Sequence, residues 1–288
     1  MNKIFSNKKL IIFLVATLGL IIFFIWAKIL ESKIAIRSIN TGLTANTLNT
    51  ISPINTEELT NKIDPAKAII LIYHSVRPMS DTFTKSQRDF NLDPIMFDKQ
   101  IKYLLDNGYN IIPMSDLLEH YQNNKSLPKN AVIINFDDGW KNQYKYAYPI
   151  LKKYGISATF FIYTDKISVG HAFMNWDEII DLQNNRMEIQ SHSIDHPILT
   201  RINDDEKLFN EIYQSKKILE QKLNKPIKIF AYPYGMYNEK TISVVKNTGY
   251  EMARGIYNGR IHKIENRYKE TGYLISNNFS DFLKILNK

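Results

Sequence analysis

From Ala66 onward, apolar runs of strand length alternate with stretches of helical period, and this alternation restricts the fold more than any other feature of the chain. Strand candidates are 68–73, 109–112, 131–136, 158–163, 187–190 and 227–231, with weaker signals around 251–256 and 273–275. Helix candidates lie between them at 94–107, 115–122, 143–154, 175–182, 204–223 and 239–248. Asp93 precedes Pro94 as an N-cap, and Asn175/Glu178 and Asn203/Glu206 have capping-box spacing. Gly108, Gly155 and Gly249 stand just past three helix ends, and Pro149 is placed to kink the helix that carries it. Such alternation implies parallel strands with right-handed crossovers. Strands that are apolar throughout imply a sheet covered on both faces. The expected class is α/β, a distorted or incomplete (β/α) barrel, with a doubly wound open sheet as the alternative.

The segment before this pattern differs. Residues 10–27 carry no charge, and at 1.5 Å per residue such a helix is about 27 Å long, near the ~30 Å hydrocarbon core of a bilayer. Lys3, Lys8 and Lys9 precede it, which places that end in the cytoplasm and the remainder outside. No small-x-small cleavage site follows, so an uncleaved anchor is expected rather than a signal peptide. The expected organisation is a cytoplasmic end at 1–9, one transmembrane helix at 10–30, a polar Asn/Thr/Ser-rich stalk at 31–65 and the α/β domain at 66–288. The absence of cysteine rules out a disulfide framework and thiolate catalysis. The formal charge of +8 is spread over scattered lysines, without the dense block that marks a nucleic-acid surface.

Chemistry-bearing residues follow the strand candidates. His74 follows AIILIY, Asp137-Asp138 follow AVIINF, His192 and His196 follow MEIQ in SHSIDHP, and Tyr232-Pro233-Tyr234-Gly235 follow IKIFA. In barrels and open α/β sheets, the C-terminal ends of parallel strands form the face where active sites are built. Two histidines at i and i+4 share one side of a helical turn and suit a single divalent metal. A carboxylate from Asp137-Asp138 would complete a set that leaves positions open for water and substrate. Adjacent residues in extended backbone point apart. One carboxylate then serves as ligand and the other as general base.

These same residues resemble the metal-dependent polysaccharide deacetylases with the NodB homology domain, carbohydrate esterase family 4. NFDDG is similar to that family's (T/S)FDDG motif, HSIDH to its H(S/T)xxH motif and FAYPYG to its third motif. The opening LIYHSV is similar to the poly-β-1,6-N-acetylglucosamine deacetylase type. The resemblance spans roughly residues 66–275. It implies that Asp137 is the general base, that His74 is the general acid, and that Asp138, His192 and His196 are metal ligands. It also implies that the Tyr234 N–H, in the segment with Pro233, holds the oxyanion, and that Trp176 is a candidate wall of a sugar subsite or else a core residue. The implied cofactor is one divalent ion, with zinc as default and cobalt or nickel as alternatives. The implied partner is an extracytoplasmic N-acetylated glycan polymer, and the anchor implies a membrane.

The chain departs from the family pattern in places. Ala231 stands where the third motif has an arginine that orients the base, with Arg254 as a candidate replacement, and Asn135 replaces the usual Thr or Ser. The family's late histidine motif is not evident, and His120, His171 and His262 read as surface residues. Two other readings remain open: a deacetylase of peptidoglycan or lipid-linked sugar, and a silent membrane-tethered glycan-binding protein.

Overall fold

A computed structural model describes residues 63–287 of the chain. The expected anchor and most of the stalk lie outside the described residues. Among the described residues, no helix is long and apolar enough to cross a membrane.

The framework is a parallel ladder. Strands β1 (Ala66–Tyr73), β5 (Ala131–Phe136), β6 (Thr159–Ile162), β7 (Glu188–Ser191), β8 (Ile229–Ala231) and β9 (Met252–Arg254) pair in that order. β4 (Asn110–Ile112) pairs with the first half of β5, while β6 pairs with its end at Asn135 and Phe136. Past β9 the chain returns to β1. Glu270 bridges Arg254 of β9, and β11 (Tyr273–Leu274) then pairs in parallel with Leu71 and Ile72 of β1. This segment reaches from the last strand of the ladder to the first, so the sheet curls into a barrel of the expected, irregular kind. β10 (Ile261–His262) adds an antiparallel contact at the start of β1. A separate ribbon pairs β2 (Ser75–Val76) with β3 (Asn91–Leu92), and α1 (Lys85–Asp89) lies between them in sequence.

Strand side chains alternate between two buried clusters. Ile69, Leu71, Val132, Ile134, Phe160 and Ile189 join helix residues in the outer core. Ile70, Ile72, Ile133, Phe161, Ile229 and Met252 form the inner one. This is why the strands read as apolar throughout: both faces are covered. Helix α3 (Met114–Asn123) packs Leu117, Leu118 and Tyr121 against the inner cluster.

The helix signals are mostly realised. In α2 (Pro94–Asp106), Asp93 accepts from the Ile95 N–H. In α5 (Trp176–Asn184), the Asn175/Glu178 capping box is complete. In α6 (Asp205–Leu223), the cap is Asp204 rather than Asn203, because the Asp204 carboxylate accepts from the Lys207 N–H. The helix expected at 143–154 is split. A π-helical turn spans Gln143–Ala147 and runs directly into α4 (Tyr148–Tyr154), with Pro149, which has no N–H to donate back into that turn, at the junction. α7 (Glu239–Asn247) is capped by Asn238. The terminal helix α8 (Phe279–Leu286) is not among the expected elements. Its Phe279 packs edge-on against Tyr103 of α2.

Candidate active site

One cavity of about 1090 Å³ opens at the C-terminal ends of the barrel strands. His74, Asp137, Asp138, His192, His196 and Tyr234 all line it, although they come from four separate strand ends. Pro233 is buried and does not line the cavity.

The adjacent carboxylates diverge as extended geometry requires. Asp137 is buried and turns inward, where its Oδ1 receives a hydrogen bond from Arg254 Nη2 at 2.5 Å. Arg254 ends β9 and is in register with Ala231 on β8. The small Ala231 leaves space for the guanidinium to reach from the next strand, so the candidate replacement is the residue that holds Asp137. Burial alone would raise the Asp137 carboxyl. Arg254, aided by His192 and His74, outweighs burial and holds it below the usual carboxylate range.

Asp138 has φ of 78°, outside the usual range for a side-chain-bearing residue, and Gly139 follows at the same φ. The Trp140 indole N–H holds the turn by donating to Asp138 Oδ2 at 2.9 Å. Gly139 is needed on two counts, because an added Cβ would also lie 3.1 Å from the Ile162 side chain. Asp138 Oδ1 then faces His192 Nε2 at 3.7 Å and His196 Nε2 at 3.5 Å.

The two histidines meet without a helical turn. After β7 the backbone runs through Ser193 at φ 70° and His196 at φ 55°, and Pro197 follows. This irregular loop replaces the expected helical geometry and brings the two Nε2 atoms to 3.1 Å. Its shape is held from α6, where Glu211 accepts from the backbone N–H groups of Ile194 and Asp195 at 3.2 Å each. His192 Nδ1 lies 2.7 Å from the Ala231 carbonyl. That carbonyl only accepts, so Nδ1 carries the proton and the Nε2 lone pair points at the shared space. Burial lowers both imidazoles below their usual value, His196 to about 4, and so favours the neutral, metal-binding form.

These donors fit a divalent cation. Ligands about 2.0–2.1 Å from one tetrahedral centre stand about 3.3 Å apart. The observed edges are 3.1, 3.5 and 3.7 Å, and Asp138, His192 and His196 are the triad whose donor atoms cluster. The His192 Nε2 lone pair faces His196 Nε2 at 3.1 Å, and a cation in the shared space could take both nitrogens as ligands.

Other expectations are corrected. Trp176 does not line the cavity. It packs against the outer core, with the Lys222 ammonium 5.6 Å from its ring centroid. His120 is buried, each ring nitrogen facing a backbone carbonyl, of Lys125 and of Asp64. His262 is buried against Glu270, whose other oxygen accepts from the Tyr121 hydroxyl. His171 is exposed as expected, on the cavity rim. Sequence reading missed Gln143, whose amide donates to the carbonyls of both His74 and Asp137 at 2.8 and 2.5 Å and ties two strand ends together. No motif announces it, because one glutamine in a helical stretch carries no local signal. Trp140 and Tyr232, which from sequence could line the groove or simply pack, both line the cavity.

Comparison with known proteins agrees with this geometry. The sequence profile for polysaccharide deacetylases matches residues 124–253, which contain Asp137, Asp138, both clustered histidines and Tyr234. Residues 124–253 thus match the polysaccharide deacetylase family. The chain is 32% identical over 189 residues to the Bacillus subtilis (strain 168) protein YxkH, itself provisionally assigned as a polysaccharide deacetylase; the match covers 65% of this chain and 64% of that protein. It is 29% identical over 237 residues to the poly-β-1,6-N-acetyl-D-glucosamine N-deacetylase of Staphylococcus aureus (strain MRSA252), covering 75% of this chain and 81% of that enzyme. Among solved structures, the Streptococcus pyogenes deacetylase PplD in complex with acetate superposes with a TM-score of 0.71 at 27% identity, over 77% of this chain and 99% of PplD. The chain is thus similar to proteins named as deacetylases and shares its fold with PplD.

Proposed function

We propose that this chain is a metal-dependent N-deacetylase that releases acetate from an N-acetylhexosamine polymer, with a β-1,6-linked N-acetylglucosamine chain as the favoured substrate. The observation that carries the reading is the convergence of a clustered Asp138–His192–His196 set, an arginine-held Asp137 and His74 in one cavity. The S. aureus relative, named as a deacetylase of that polymer, supports the substrate class.

Asp138, His192 and His196 would hold the divalent ion, with zinc as the default and cobalt or nickel as alternatives. Bound there, such an ion supplies Lewis acidity and lowers the pKa of a nearby water. Asp137, kept ionised by Arg254, takes a proton from the attacking water, a role worth about 10²–10⁴-fold in rate. The Tyr234 N–H lies in the first turn of the 3₁₀ segment Pro233–Gly235, so it has no helical acceptor and is free for the developing oxyanion. Tyr234 has φ of 57°, and the Gly235 that follows has no space for a Cβ, which would sit 2.3 Å from Ile256. His74 gives its proton to the departing nitrogen as the C–N bond breaks, and acetate and a free amine leave.

Residues 10–30 would anchor the protein, with the domain on the extracytoplasmic side where such polymers lie. Membrane fractionation with protease accessibility tests that placement, and release of the domain by washing with salt alone would contradict it. The function is tested by acetate release from β-1,6 and β-1,4 N-acetylglucosamine oligomers with added divalent metals. Release from the β-1,6 series that stops on chelation and returns with metal is expected; no release at any metal loading refutes the reading. His192→Ala should lower bound metal in elemental analysis, and full occupancy would remove it from the ligand set.

A further inference from the structure

We propose that the wall of the cavity beside His74 is an anion subsite, in which Arg77 and Lys145 bind a carboxylate or phosphate substituent carried by the glycan. This rests on the deacetylase reading and adds to it a charge preference for the substrate.

The cavity is one-sided in charge. Its lining cations are Arg77, Lys141 and Lys145, and its lining carboxylates are Asp137 and Asp138 alone. Both carboxylates already have partners, Asp137 in Arg254 and Asp138 in the histidine cluster. Lys141 reaches Glu178 at 3.2 Å, so its charge is also matched. Arg77 and Lys145 have no carboxylate within ion-pair distance among the described residues. The Arg77 guanidinium lies over the Phe83 ring at 4.3 Å, and its Nε is buried without an acceptor. A buried donor left unpaired is unfavourable, and a bound anion would satisfy it. Lys145 lies 5.0 Å over the Tyr146 ring. The far wall, formed by Tyr234, Gly235, Ile256 and Leu274, is uncharged.

The two cations come from segments that are fastened together. The Val76 N–H donates to Asn142 Oδ1 at 3.0 Å, and Asn142 Nδ2 donates to Ser75 Oγ at 3.0 Å. Ser75 Oγ donates to Asn91 Oδ1 at 2.6 Å, and the Arg77 N–H to the Leu92 carbonyl at 3.1 Å. The backbone segments that carry the two cations are therefore held side by side. A planar guanidinium with open donors, set on an aromatic face, suits a carboxylate or phosphate. The same charges oppose a protonated glucosamine, so stretches already deacetylated should be poor ligands on this side.

The test uses the full-length, metal-loaded protein and four probes. These are a neutral β-1,6 N-acetylglucosamine pentamer, the same pentamer with one O-linked succinyl group, the same pentamer with one free amine, and a β-1,4 oligomer alternating N-acetylglucosamine with lactyl-bearing N-acetylmuramic acid. Both kcat/KM for acetate release and Kd are measured. Carboxylate-bearing probes should exceed the neutral pentamer by about tenfold, an advantage that shrinks with added salt, and the amine-bearing probe should fall below it. Arg77→Gln and Lys145→Gln should each reduce the ratio of carboxylate-bearing to neutral probe, and Arg77→Glu should invert it towards the amine-bearing one. A preference confined to the muramic acid probe would identify a peptidoglycan-like glycan as the source of the carboxylate; a preference shared with the succinyl probe would place the selectivity in the charge itself. Equal values for neutral and carboxylate-bearing probes, or variants that lower both while keeping their ratio, would overturn the proposal. A carboxylate-dependent Kd with no acetate from any probe would keep the subsite and refute the deacetylase reading.

Discussion

The lower and upper halves of the barrel interior are built from the same strands and the same inward-facing residue parity, yet they obey opposite rules. Below lie Ile133 on β5 and Met252 on β9, with Phe161 and Ile229 between them, all buried and apolar. Two residues further along each strand, about 6.6 Å, the inward positions are Asn135 and Arg254, and two beyond Asn135 comes Asp137. The lower half is stabilised by removing apolar surface from water, which is non-directional and tolerant of exchange. The upper half contains charges whose desolvation is repaid only while partners are complete. The contrast explains why a barrel needs its oily half: it supplies the stability that the reactive half consumes.

Four substitutions separate the two halves, in order of decreasing effect. Asp137→Asn should lower acetate release by about 10²–10⁴-fold while elemental analysis shows metal retained, since Asp137 makes its bond to Arg254 and stands outside the ligand triad. Activity near that of the parent protein would remove Asp137 as base. Arg254→Met strands a buried carboxylate and should cost roughly 3–5 kcal/mol in denaturant unfolding. The Asp137→Asn/Arg254→Met double variant should recover part of that loss; strict additivity would show that the pair is not coupled. In the lower half, Ile133→Ala should cost about 2–5 kcal/mol but leave metal content unchanged, so a simultaneous loss of metal would show that the halves are not separable. Trp140→Phe keeps the ring but removes the N–H to Asp138, and should weaken metal affinity by about 10–100-fold with little change in stability. An unchanged affinity would make Trp140 a packing residue only.

Much of the site was legible because barrel chemistry is local to strand ends. An apolar run followed by His74, by Asp137-Asp138, or by SHSIDHP signals a strand and its reactive terminus within a few residues. The misreadings have a common physical origin. His262 looked exposed because it sits in the polar stretch NGRIHK, but its partners Glu270 and Tyr121 come from other parts of the chain. For Trp176, open between a sugar platform and the core, the first turn of α5 decides for the outer core. SHSIDHP has helical spacing, but left-handed residues at Ser193 and His196 bring the imidazoles together by another route.

By itself, the sequence determined the main strands of the parallel ladder, which residues stand at their C-terminal ends and which donor types gather there, because periodicity and strand termini are properties of neighbouring residues. Only the tertiary structure decided that Arg254 reaches past Ala231 to Asp137, that Gln143 ties His74 to Asp137, and that Arg77 is left without a carboxylate among the described residues. Those facts depend on which strand lies beside which and on how much space a small residue leaves. Register and packing set them across more than a hundred residues of chain between Asp137 and Arg254, at a range where local pattern carries no information.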